Sequence, residues 1–134
     1  MKQEKMLAAL RALFVPVLRE RGFRGSLPHF RRIGPTGIDL LTVQFDRRGG
    51  GFIVEVARCG PDGHATYWGK QVPPSRVCAH DIHPGERHRL GASGPGVDGR
   101  WFRFDDGSSI DNVAHEAVDI LQEADAWWSE RAGR

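Results

Sequence analysis

The run "IDLLTVQFDRRGGGFIVEVARC", residues 38–59, constrains this chain most. Leu41, Val43 and Phe45 alternate along its first half. In its second half Phe52, Val54 and Val56 alternate against Ile53, Glu55, Ala57 and Cys59. A period of two puts each set on one side of an extended strand. The glycines at 49–51 between the halves supply a turn, so the run reads as two antiparallel strands of a β-meander with one face on a core. These glycines do not form a phosphate loop. No Lys-Ser/Thr follows them, and the chain enters a strand where such a loop would open a helix.

Helical periods lie on both sides. Met6, Leu7, Leu10, Leu13, Phe14, Val17 and Leu18 recur at i, i+3, i+4 spacing, and Gly22 followed by Phe23 ends the pattern. Pro16 lies inside it, lacking a backbone donor and crowding the carbonyl of Ala12, which predicts a kink or a break into two pieces. At the other end Ile110, Val113, Ala114, Ala117, Ile120, Leu121, Ala124 and Trp128 trace one helical stripe. Ser108 with Asp111 is read as its capping box, and Trp127 is expected at the edge of the buried face.

Between these, "SLPHFRRIG", "RHRLG" and "RWFRF" read as further strands, with "ASGPGVDG" (92–99) as a hairpin loop joining the last two. The expected fold is α+β: an antiparallel sheet of about five strands with N-terminal and C-terminal helices packed on one face. At 134 residues the chain suits a single domain spanning 1–134.

Charge enters through its distribution. Residues 1–32 carry eight Lys/Arg against two acids, and residues 111–134 carry six acids against two arginines. Two such segments can steer each other's docking or remain solvated faces. The net charge of +2 does not by itself call for a nucleic acid or a membrane. No apolar run reaches the ~18 residues of a membrane span, and Arg11 interrupts the N-terminal stretch, so a cytoplasmic protein is expected.

Candidate chemistry concentrates in "CAHDIHPGERHRLG", residues 78–91. Cys78-x-His80 on an extended chain puts two ligand types on one side. With His83 and Cys59 they would make a tetrahedral zinc site, although neither cysteine has a C-x₂₋₄-C partner. The competing reading makes the cysteines small, half-buried hydrophobes and the histidines loop residues. Acid–base catalysis would pair His80 or His83 with Asp81, Glu86, Asp105 or Asp106. No nucleophile elbow or H-E-x-x-H motif accompanies them, which places a binding module ahead of an enzyme. By strand parity Arg87 and Arg89 share one side and present paired guanidinium groups, either to an acidic ligand or to carboxylates of the chain itself. With His80, His83 and Trp101 they are the ligand-binding candidates; no metal or other cofactor is favoured. Binding of single-stranded nucleic acid would use arginines 31, 32, 47, 48, 87, 89, 100 and 103 with Phe30, Trp101 and Phe102. The acidic C-terminal segment opposes it.

"LRERGFRGSLPHFRRI" followed by "VQFDRRGGGFIVEV" resembles the opening of a bacterial family, domain of unknown function 4304. The Cys78–His83 turn, Arg87–Gly91, Trp101-Phe102 and the segment from Asp111 match its later features. Asp46 and Arg47 stand where the family has Lys-Ser, and the turn before Arg87 is longer. The resemblance implies an α+β domain and carries no established activity. By analogy with small bacterial domains of this kind it suggests an immunity-type or accessory protein that binds a protein partner.

Overall fold

The computed structural model describes residues 2–91 and 99–133. Helix α1 (Lys2–Ala9) runs into a π-helical turn (Leu10–Phe14) and then α2 (Val15–Glu20). Pro16 sits in the first turn of α2, where its missing N–H costs least, and the wider π turn just before it absorbs the ring. The sequence offered a kink or a break, and the chain resolves the conflict with a π turn and stays helical throughout. Gly22 (φ +90°) closes this segment, and Phe23 N donates to the Leu18 carbonyl at 3.0 Å, as the Gly-Phe signal predicts.

Strands β1 (Arg24–Ser26), β2 (His29–Ile33), β3 (Ile38–Phe45) and β4 (Gly51–Cys59) follow as an antiparallel meander. A small hairpin, β5 (His64–Ala65) with β6 (Gln71–Val72), stands outside the sheet. Strands β7 (His88–Arg89) and β8 (Phe102–Arg103) both pair with β4, at Glu55–Val56 and Gly51–Phe52 respectively. They therefore lie end to end along one edge of β4, and a hydrogen bond from Arg100 N to the Leu90 carbonyl (2.9 Å) links the segments. The expected hairpin loop at 92–99 falls, except for Gly99, outside the described residues. Helices α3 (Ile110–Asp119) and α4 (Leu121–Ala132) complete the chain, separated at Ile120 where one continuous helix was expected. The cap of α3 is Ser109, whose Oγ accepts from Asn112 N, one residue beyond the serine expected from the spacing.

The helices cover one face of the sheet. Met6, Leu10, Phe14 and Leu18 meet Phe30, Leu41, Val43, Phe52, Val54, Val56, Phe102, Leu121 and Trp128 in the larger core. Trp128 is buried, and its indole N–H donates to the Ala57 carbonyl at 3.1 Å, satisfying the one polar atom that its burial would otherwise strand. Trp127 lies half-buried at the rim, stacked on His88 at 5.9 Å with the Arg131 guanidinium 3.7 Å from its ring centre. Of the opposed terminal charges, Arg21 and Asp125 meet in a two-pronged ion pair (2.8–3.1 Å) that ties the end of α2 to α4.

The meander was expected to bury one face, and it buries two. Ile38, Leu40 and Ala57 point away from the helices and form a second core with Val72, Val77, Ala79 and Ile82. Residues 60–86 therefore act as a third layer, and a loop of that length needs such an anchor to hold a defined path.

Candidate functional site

Strand pairing across the loop-covered face builds one polar row. His29 pairs with Thr42, Thr42 with Glu55, and Glu55 with Arg89. Alternation puts all four on the side away from the helices, since their neighbours Phe30, Leu41, Val56 and Leu90 are in the larger core. The His29 ring Nδ1 and the Thr42 hydroxyl lie 2.9 Å apart. His80 arrives from above, edge-on to His29 at 5.4 Å between ring centres, with its Nε2 3.9 Å from Glu55 Oε1.

Arg87 approaches the same carboxylate oxygen at 3.9 Å. Its Nε donates to the Ile82 carbonyl and its Nη2 to the His80 carbonyl, each at 2.9 Å. One guanidinium thus pins the loop backbone at 80–82 and faces the Glu55 charge. Of the two expectations for Arg87, pairing within the chain is the one found.

His29 is pushed below the ordinary imidazole value, first by burial and then by the neighbouring His80 and Arg31. It stays neutral at physiological pH, suited to sharing a hydrogen bond with Thr42. The Thr42 side chain is itself buried, which leaves no approach for a substrate to its oxygen.

The 78–83 residues do not stand together as a ligand set. Residues 79–81 form a 3₁₀ turn, not an extended chain, and the Cys78 amide donates to Asp81 Oδ2 at 2.9 Å to cap it. Asp81 is thereby occupied in the turn. His83 turns to a different environment: its Nδ1 accepts from Gly85 N at 3.0 Å, and its ring lies 5.4 Å from Tyr67. Burial raises the thiols of Cys59 (to about 11) and Cys78, so both stay protonated and are poor nucleophiles at neutral pH. Among the described residues no three His, Cys, Asp or Glu side chains are grouped so as to hold a metal ion.

The other acids proposed as proton partners are placed elsewhere. Glu86 lines a shallow cleft with Cys59 and Trp127, and Asp106 accepts from Ser108 N at 3.0 Å. Asp105 lies beside Gly50, in the turn between β3 and β4.

Trp101 is 38% exposed and flanked by two guanidinium groups, Arg89 at 5.8 Å and Arg103 at 5.4 Å from its ring centre. Arg103 also sits 3.7 Å from Asp46. Phe30 and Phe102, the other aromatics of the stacking surface considered for nucleic acid, are fully buried. Arg100 is paired with Glu116, and Arg32 with Asp39.

Sequence reasoning missed the most exposed aromatic pair. Tyr67 and Trp68 are 71% and 54% exposed at the tip of the β5–β6 hairpin, their rings perpendicular at 4.8 Å. The tip is closed by its own bonds. Thr66 N donates to the Lys70 carbonyl and Lys70 N to the Thr66 hydroxyl, both at 2.8 Å, and Thr66 is buried. Adjacent Tyr and Trp inside a Pro/Gly-rich stretch, off any helical or strand period, were the available signal.

The fold and these surfaces define an α+β domain whose sheet carries helices on one face and an aromatic-tipped loop layer on the other. The chain belongs to the family described as Domain of unknown function (DUF4304), whose model matches residues 14–131. No curated protein and no solved structure matches it significantly. Among the described residues no helix is long and apolar enough to cross a membrane.

Proposed function

We propose that the chain is a protein-binding accessory module, of the kind that includes immunity-type proteins, and that it engages its partner through the loop layer. The observation that carries this reading is the Tyr67–Trp68 pair. Large aromatic side chains left in water on a hydrogen-bonded turn contribute little to the fold, whereas tyrosine and tryptophan are preferred anchors at protein interfaces. His83 beside Tyr67 extends the surface into the segment that the sequence singled out.

The test is co-purification from cells that naturally make the protein, comparing the wild-type chain with a Tyr67→Ser/Trp68→Ser double variant. A protein retained by the wild type should be recovered about tenfold less with the variant, the scale of a lost interface anchor. The variant's melting temperature should be unchanged. Equal recovery would contradict the reading, and so would a collapse of the variant's fold.

A second reading, a small-ligand protein using the 78–91 segment, draws support from the meeting of His29, His80 and Arg87 around Glu55. Zinc enters it only if His83 moves toward Cys78 and His80. Metal analysis of untagged protein separates the two: stoichiometric zinc lost in His80→Ala would favour the second reading.

A further inference from the structure

A different part of the molecule carries an unassigned cleft. It lies at the free edge of the sheet and measures about 300 Å³, lined by Gly22, Arg24, Arg31, Ile33 and Ser75. Arg24 and Arg31 are directly opposed across β1 and β2, an arrangement of like charges that disfavours strand pairing. Six other arginines, Arg21, Arg32, Arg58, Arg87, Arg100 and Arg103, each face a carboxylate, while Arg19, Arg89 and Arg131 lie against backbone carbonyls or aromatic rings. No carboxylate among the described residues pairs with Arg24 or Arg31. Arg31 is nevertheless held in place, its Nε donating to the Val77 carbonyl at 3.0 Å, and among the described residues its two terminal nitrogens make no hydrogen bond.

We infer that this cleft is an oxyanion-binding site, taking the phosphate or carboxylate group of a small organic molecule. The two guanidinium groups supply charge-assisted donors, and a planar donor fork matches both kinds of anion. Ser75, on the turn from the loop layer, offers a hydroxyl at the rim. Ile33, 57% exposed in the same cleft, gives an apolar surface against which the body of the ligand can lie. The inference is independent of the aromatic hairpin, since no residue of one contributes to the other.

The probes are inorganic phosphate and isobutyrate, titrated into isotopically labelled full-length protein at constant ionic strength set with chloride. The arginine side-chain N–H resonances of Arg24 and Arg31 are followed by NMR. Saturable shifts with either anion are expected, and the stronger probe distinguishes phosphate from carboxylate. Arg24→Gln should weaken that binding about tenfold, as loss of a charge-assisted contact implies. Because Arg24 makes no ion pair among the described residues, this variant is expected to keep its structure, and its melting temperature should rise less with the anion than that of the wild type. Shifts that never saturate, shifts that chloride reproduces equally, or undiminished binding by Arg24→Gln would overturn the site.

Discussion

His29 shows how one side chain can set the pH response of the loop-covered face. It faces Thr42, His80, Arg31 and Asp81, and its folded-state proton affinity is lowered from the ordinary value of 6.5 chiefly by burial. Above that value both folded and unfolded imidazoles are neutral, and His29 adds no pH dependence. Below it the unfolded chain binds a proton that the folded chain resists, so stability falls as pH falls until the folded group also titrates. Denaturant midpoints measured from pH 7 to about pH 5 should therefore decline less steeply in His29→Gln than in the wild type. Identical slopes would remove His29 from the account. Parity alone assigned Arg87 and Arg89 to one side and His88 and Leu90 to the other, and the structure has them so. What parity could not supply was the partner: Glu55 is near in space only because β7 lies against β4, a pairing that no local signal encodes.

At the scale of elements, the two cores make separate predictions. Leu121 is fully buried among the helices, and Leu121→Ala should cost about 2–5 kcal/mol in chemical denaturation. Ile82 is buried in the second core, where Ile82→Ala should cost a comparable ~2–5 kcal/mol. The Ile82 change should also speed amide exchange across residues 60–86 more than in α3, because only that layer loses its anchor. Uniform acceleration would mean that the layer does not unfold as a separate unit.

The helices and the central strands were legible because their periods are long and clean. The second core was less so, although "IDLLTV" places Ile38 and Leu40 on the face opposite Leu41 and Val43, the mark of a strand buried on both sides. The covering segment has no period of its own, since it is built from a two-residue-strand hairpin and two 3₁₀ turns. Strands β7 and β8 were found by pattern but their relation was not. Two short strands joined by glycines resemble a hairpin locally, whereas their pairing with β4 is set by long-range contacts.

For the whole molecule, the division into layers separates the larger core from the exposed aromatics. The larger core and the Arg21–Asp125 pair fix the helices to one face, while the loop layer holds the exposed aromatics on its own smaller core. Membership of the DUF4304 family agrees with the fold and leaves the function to be read from the surface. The most direct test of the central claim replaces Trp68 with a photo-crosslinking aromatic residue in the native cell, with the same residue at exposed Asp119 on α3 as the comparison. The loop layer as partner-binding face predicts a discrete crosslinked protein from position 68 and none from position 119. A crosslink from position 119 alone, or from neither position, would contradict it.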